Sequence, residues 1–486
     1  MSELRAAGPG LLRKARRDYW FDAAIINPPT QSELVPTHSA LIAGERRKTR
    51  QGRLDSQRRS RIVLRVSVGT GESIMVKKWV AATIAATLLL TAAGGTQAAD
   101  AVAVSAIGRT LYLSGIYGSA ADPLEQVDEV IQRAHATLQK RGLGFGAMVQ
   151  HTIFVKDGAV QPIAVLQRFH AEATRLAPSL KERRSVGTII RVPNMPGNAV
   201  IMLEMVAGAP ATRGAVDDFQ RVPFTFGPAE IAETLGVDDL VFTAGLEAMD
   251  FEHGTLAPDI DAQMEAIVGK LDSSLRKAGL TLGDMVSHNL YVKKGTDPQH
   301  VIERFHELTH RYAPQLKDQP SVGTLAVVDG MAGDGFLMEM DAIAARPAVA
   351  GRPVKIARLP FDNPAMPIVR SVSVGDRVLV SGEVGADRAH GGAIPADVGA
   401  QIELAVANID ATLKKSGTSL DRLVKARLFL KNGSADPEFA RRKFHEAVAR
   451  RARHRAPKSM AETLLLVEAL DSDQAAIEIG VIARRR

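Results

Sequence analysis

Read as a pattern of apolar and polar positions, most of the chain repeats one unit three times. In its clearest copy Met264, Ile267, Val268, Leu271 and Leu275 recur at three-to-four spacing, which predicts one apolar stripe along a helix. Gly279 follows where a left-handed C-cap belongs. The frame from Gln263 to Gly279 returns as Gln126 to Gly142 and Gln401 to Gly417, at intervals of 137 and 138 residues. After each helix an alternating run predicts a strand: Val149 to Val155, Val286 to Val292 and Val424 to Leu430. Each run ends in Lys and a polar turn, and a second helix then carries Phe169-His170, Phe305-His306 or Phe444-His445.

Three further markers complete the unit. A strand before the first helix ends in a small residue and glycine: Ser114-Gly115, Ala244-Gly245 and Ser381-Gly382. A short motif opens the strand after the second helix. It reads Arg184-Ser185-Val186-Gly187-Thr188, then Pro320-Ser321-Val322-Gly323-Thr324, then more faintly Lys458-Ser459-Met460-Ala461-Glu462. A last strand bears Glu204, Glu339 or Glu478. Each unit therefore reads β-β-α-β-α-β-β, an α+β sheet with two helices on one face. One helical layer leaves the other sheet face apolar and in need of cover, and three copies in one chain can supply it. The units fall at 100–210, 220–346 and 354–485.

Ahead of them, Met75-Val76-Lys77-Lys78-Trp79 leads into an uncharged run from Val80 to Ala93 and then Ala98-Ala99-Asp100. A basic start, a short apolar run and small residues predict a signal peptide over 75–99, hence a periplasmic or secreted protein. The run falls short of the ~20 residues a spanning helix needs, so no stable membrane span is expected. Residues 1–74 show no sustained period and read as a disordered leader before a misassigned start.

Composition alters this picture in two ways. The net charge of +7 suggests a polyanion partner, but residues 1–74 hold 14 Lys+Arg against 7 Asp+Glu. From residue 100 onward 45 basic residues meet 47 acidic ones, so global charge gives no reason to expect nucleic acid. The chain has no cysteine, which excludes disulfides, thiolate metal sites and cysteine nucleophiles.

In their order and threefold recurrence, Asp397-Val398-Gly399-Ala400-Gln401, Leu282-Gly283-Asp284-Met285-Val286, Phe154-Val155-Lys156-Asp157 and Ile477-Glu478-Ile479 resemble the RidA/YjgF family of enamine/imine deaminases. The likeness runs over roughly 101–485. Family members are homotrimers with a central barrel, outer helices and ligand clefts between subunits. The resemblance implies that three RidA-like units form an intramolecular pseudo-trimer, a monomer that needs no cofactor. It also implies that Arg184 grips the carboxylate of a small metabolite, because a guanidinium binds a carboxylate through two parallel hydrogen bonds that Lys cannot copy. Glu204, Glu339 and Glu478 match the glutamate that positions or activates water, and Ser114, Gly115, Gly245, Ser381 and Gly382 match the small cleft-lining pair, which Ala244 breaks. Pro320 and Lys458 depart from the arginine. The family's cleft tyrosine has no counterpart, and Leu166, Ile302 and Arg441 stand where an Asn is common. One complete carboxylate site is therefore expected, around Arg184.

Three readings follow. The first is an exported hydrolase of enamine or imine acids, with Glu204 or a Glu from the neighbouring copy orienting water. The second is a metabolite-binding protein without turnover, and the third is RNA cleavage. The basic run from Arg441 to Arg455 could track phosphates, but no aromatic residues interleave to stack bases. The three glutamates could equally be structural hydrogen-bonding groups, and Arg184 a solvated charge. His170, His306 and His445 are one per copy, which is no metal set, and His151 and His288 read as strand residues with no role.

Overall fold

The computed structural model describes residues 102–212, 218–225, 230–363, 366–452 and 460–485. The expected leader, the signal peptide and Lys458 lie outside them. The first repeat contains β1 (Val104–Ile107), β2 (Thr110–Tyr117), α1 (Pro123–Gln139), β3 (Met148–Lys156), α2 (Pro162–Leu176), β4 (Val186–Val192) and β5 (Ile201–Gly208). The second contains β6 (Gln220–Pro223), β7 (Ala232–Val237), β8 (Leu240–Thr243), α3 (Ile260–Lys277), β9 (Met285–Lys293), α4 (Pro298–Tyr312), β10 (Val322–Val328) and β11 (Met338–Ala345). The third contains β12 (Ile356–Pro360), β13 (Val369–Val374), β14 (Arg377–Val384), α5 (Val398–Lys415), β15 (Leu423–Lys431), α6 (Pro437–Arg451), β16 (Ala461–Val467) and β17 (Ile477–Arg484).

Each repeat builds one sheet of the same order: β1-β2-β5-β3-β4, then β6-β7-β8-β11-β9-β10, then β12-β13-β14-β17-β15-β16. The last strand of each repeat lies mid-sheet, antiparallel to both neighbours, and the motif strand pairs in parallel at the edge. The second and third repeats carry one more leading strand than the sequence pattern suggested.

Local chemistry fixes the helices. Asp122, Asp259 and Asp397 cap α1, α3 and α5 by accepting first-turn N–H groups, and Pro162, Pro298 and Pro437 open α2, α4 and α6. Gly142, Gly279 and Gly417 follow the first helices at φ of +74°, +76° and +78°, the left-handed turn the sequence called for. The recurrent glutamines are buried ties. The amide of Gln263 donates to the carbonyls of Ala257 and Gly335, and its oxygen accepts the Leu337 N–H; Gln126 and Gln401 repeat this pattern. Each thereby holds a helix start against the entry to its last strand.

Three apolar cores lie between each sheet and its helices. A fourth draws Tyr112 and Val206, Leu235 and Phe242, and Val372 and Leu379 from the three sheets' other faces. The bare sheet faces thus cover one another, as one helical layer requires. Among the described residues no helix is long and apolar enough to cross a membrane.

Candidate active site in the clefts between repeats

Register decides which residues correspond. On the last strands Glu339 pairs with Tyr291 and Glu478 with Phe429; in the first repeat the residue opposite Phe154 is Met202. Glu204 lies two residues further along, opposite Thr152, and corresponds to Asp341 and Gly480. A two-residue step keeps a strand side chain on the same face, which is why Glu204 passed for the equivalent of the other two. Its buried carboxylate is not free. Lys425 donates to it at 2.6 Å, and Arg427 binds it through both Nε and a terminal nitrogen. Burial alone would push this carboxyl up, but the Arg427 and Lys425 charges outweigh that and hold it well below the usual range.

The motif strands shift as well. Val186, Val322 and Ala461 stand opposite Gln150, Ser287 and Lys425, so Thr188, Thr324 and Thr463 correspond, and Glu462 takes the place of Gly187 and Gly323. Counted back along the chain, Ser459 rather than Lys458 answers to Arg184; both lie outside the described residues. The histidines left without a role have one in this motif. His151 Nδ1 is 3.1 Å from Ser185 Oγ and His288 Nδ1 is 2.9 Å from Ser321 Oγ, pinning the strand starts. A side chain at Gly187 or Gly323 would begin 2.4 or 2.5 Å from an imidazole Nε2, so the ring requires the glycine. In the third repeat Glu462 pairs instead with Arg441 and His445, at 2.8 and 2.7 Å.

Each cleft joins the small pair of one repeat to the motif strand of the preceding one. Between repeats 1 and 3, Ser114 Oγ accepts the Glu462 N–H at 3.0 Å, Gly115 faces Met202 and Thr463, and Tyr117 donates its hydroxyl to the Leu464 carbonyl at 2.6 Å. Among the described residues, neither the arginine nor the glutamate of the family pattern stands here, and Met202 takes the glutamate's position. Between repeats 3 and 2, Ser381 Oγ accepts the Gly323 N–H at 3.2 Å, and Glu478 lies against Gly382 and accepts from Thr324, but the motif opens with Pro320.

Between repeats 2 and 1 the strands carry both the motif arginine and the last-strand glutamate, although Ala244 breaks the small pair. Gly245 N–H donates to the Gly187 carbonyl at 3.0 Å, and a Cβ on Gly245 would lie 1.9 Å from Glu339 Oε1 and 2.6 Å from Thr188 Oγ1. Glu339 therefore occupies the space that glycine leaves, accepting the Ile189 N–H. Burial, then the nearby Glu247 and Asp341 charges, push its carboxyl well above the usual range. Burial likewise pushes Glu247 up to about 7, against the Ala332 N–H and the Lys270 charge, while Lys270 is brought down to about 8. With the Glu247 charge acting on Glu339, the two carboxyls titrate as a pair. Glu247 carries no repeat signature, since Tyr117 and Val384 hold its position, so only its distance from the cleft glycine could have flagged it.

Arg184 stands at the head of this cleft's motif strand, half-exposed. Its Nε donates to the Lys181 carbonyl at 3.0 Å, and its own carbonyl accepts from Arg221 Nε of the second repeat at 3.2 Å. Among the described residues no carboxylate pairs with it. Burial, and then the Arg184 charge, lower His170 to about 4. The described basic residues of α6 are largely neutralised: Arg441 by Glu438 and Glu462, Lys443 by Glu446, Arg450 and Arg451 by Glu403. Among the described residues no three His, Asp or Glu side chains gather as a metal site.

Three related clefts on repeated α+β sheets mark the class, and the family follows: residues 229–346 and 361–485 match the model of the endoribonuclease L-PSP family. The chain belongs to that family, the YjgF/RidA family. It is similar to a crystallised chorismatase at 14% identity, covering 79% of this chain and 99% of that one with a TM-score of 0.46. A Thermotoga maritima putative endoribonuclease matches at 21% identity over 26% of this chain and 94% of its own, TM-score 0.22. A Mycobacterium tuberculosis member of the YjgF/YER057c/UK114 family matches at 21% identity over 27% and 99%, TM-score 0.22. No curated protein matches the sequence.

Proposed function

We propose that the three repeats act as an intramolecular pseudo-trimer with one hydrolytic site, in the cleft between repeats 1 and 2, that converts small enamine or imine acids to 2-keto acids and ammonia. One observation carries this reading: among the described residues, this is the one cleft whose strands carry both a motif arginine, Arg184, and a last-strand glutamate, Glu339. The nucleophile is water. Its oxygen bonds to the imine carbon while Glu247, poised near neutrality, takes its proton. Glu339, held neutral, gives a proton to the nitrogen. Glu247 then returns its proton to the amine, the C–N bond breaks as the carbinolamine hydroxyl gives its proton to Glu339, and ammonia leaves with the keto acid formed and both carboxyls restored. Arg184, swung from the Lys181 carbonyl, would hold the substrate carboxylate.

That same bond to Lys181 favours a second reading, a cleft that binds a carboxylate metabolite without turnover. Ammonia release from 2-iminopropionate generated in situ, compared between the full chain and Arg184→Ala, decides between them. Turnover that falls about 100-fold or more in the variant supports the hydrolase. Equal rates in the protein and in buffer sink it. Export to the periplasm or beyond remains part of the proposal, and N-terminal sequencing of the exported chain would test cleavage before Ala99 or Asp100.

A further inference from the structure

The segment that carries Glu247 is tied to the first helix of its own repeat, and the tie differs between repeats. In repeat 2, Lys270 of α3 lies half-buried, and its Nζ donates to the carbonyls of Glu247 at 2.8 Å and Met249 at 2.5 Å. Counted from the helix glutamines, Lys270 corresponds to Arg133 of α1 and Asn408 of α5. Arg133 donates to the Tyr117 carbonyl at 2.8 Å, and Asn408 to the Ala386 carbonyl at 3.0 Å. Counted from the cleft glycines, Tyr117 matches Glu247 and Ala386 matches Met249. Lys270 alone therefore makes both of the bonds that its two equivalents divide between them.

The residue being held differs too. Repeat 1 sets Arg133 against Tyr117, and repeat 3 sets Asn408 against a segment with Val384 at that position. In repeat 2 a cation holds a segment that bears a carboxyl. Glu247 Oε1 is shut off from solvent and accepts no hydrogen bond among the described residues. The Lys270 ammonium favours the ionised carboxyl, while Glu339, when ionised, opposes it. Lys270 in turn feels Asp250 besides Glu247, and its Nζ lies 5.6 Å from the centre of the Phe251 ring. Glu247 at about 7 and Lys270 at about 8 titrate in adjoining ranges, as an interacting pair does.

We propose that Lys270 is a positioning residue for the hydrolytic site: it fixes the backbone that presents Glu247 to the cleft, and its charge keeps that carboxyl available as a base. The inference rests on Glu247 being the base of the proposed hydrolysis. Its two parts are separable, because the equivalent positions supply the variants. Lys270→Arg keeps a cation and its donors, as Arg133 does. Lys270→Gln keeps a donor without the charge, as Asn408 does.

The titration of Glu247 can be followed in the full chain by the infrared band of its protonated carboxyl, identified as the band missing from Glu247→Gln. That titration should move up by about one pH unit or more in Lys270→Gln, because a nearby cation favours the ionised form. It should stay close to wild type in Lys270→Arg. Arg133→Gln, which removes the cation from the same position of repeat 1, should leave it in place. In turnover, kcat of Lys270→Gln at pH 7 should fall about fivefold and recover as the pH is raised, with KM unchanged. A merely structural tie would lower kcat at every pH without moving the titration. A Glu247 band that titrates alike in wild type and Lys270→Gln, or that Lys270→Arg moves just as far, would overturn the proposal. The infrared reading needs no turnover, so a wild-type chain without deaminase activity would count against the hydrolase and leave the link between Lys270 and Glu247 to be decided separately.

Discussion

Glu204 of the first repeat and Lys425 of the third lie 2.6 Å apart across the junction of the repeats, with Arg427 on the same carboxylate. Removing one member of a buried ion pair strands the others, at a cost of about 3–5 kcal/mol. Glu204→Gln should lose that much by chemical denaturation at pH 7. The folded carboxyl lies below its unfolded value of about 4.3, so its contribution is complete above that pH and is lost as the pH falls toward the folded value. The gap between wild type and variant should therefore shrink below about pH 4. A gap unchanged at pH 3 would count against the pair.

Glu247 places a second titration near neutrality. With its carboxyl at about 7, the proposed base is protonated and idle in mild acid and ionised above neutrality. The kcat of imine hydrolysis should rise through about pH 7 to a plateau. Glu247→Gln should lower the plateau about 100-fold and remove the rise. A steep rise that survives the substitution would move the base elsewhere.

Much of the fold was legible because repetition amplifies weak local signals. The Gln-to-Gly frame, the Lys-ended strands and the Phe-His helices each mark one structural event three times. The clefts were harder to read. Met202 and Glu204 stand on the same face of one strand, and alternation alone cannot say which pairs with Phe154. Glu462 slipped past as Thr188's equivalent because the third motif lacks the glycine that His151 and His288 require. The His–Ser contacts join residues 34 and 33 positions apart and depend on parallel pairing that no short window contains. Glu247 was invisible for the opposite reason: it is not repeated.

Gly245 and Gly115 hold one position in two clefts, and the same substitution should affect them differently. A methyl group on Gly245 would meet Glu339 Oε1 at 1.9 Å and must displace the carboxyl, whereas on Gly115 it meets only Met202 Sδ at 3.0 Å and Thr463 at 3.2 Å. Displacing a catalytic group by about 1 Å can cost roughly 100-fold in rate. Gly245→Ala should therefore lose about that factor in kcat/KM while remaining folded, and Gly115→Ala should stay within a few-fold of wild type. Similar losses in both would place the chemistry outside the Glu339 cleft.

Glu478 offers a test of stability rather than catalysis. It has Thr324 to hydrogen-bond it, but no motif arginine opens its cleft, and burial followed by the Asp471 charge pushes its carboxyl well above the usual range. A group whose folded value is raised contributes stability below its unfolded value, about 4.3, and loses that contribution as pH climbs through the folded value. Ionising it at neutral or alkaline pH therefore works against the fold. Glutamine keeps the shape and a hydrogen-bonding oxygen without the charge. Glu478→Gln should leave the thermal midpoint nearly unchanged at pH 5 and raise it at pH 8, by several degrees if the gain reaches about 1–2 kcal/mol. Glu204→Gln should show the reverse, with its largest loss where Glu478→Gln gains. Two glutamates that look alike in the sequence would then be separated by the sign of their pH dependence alone.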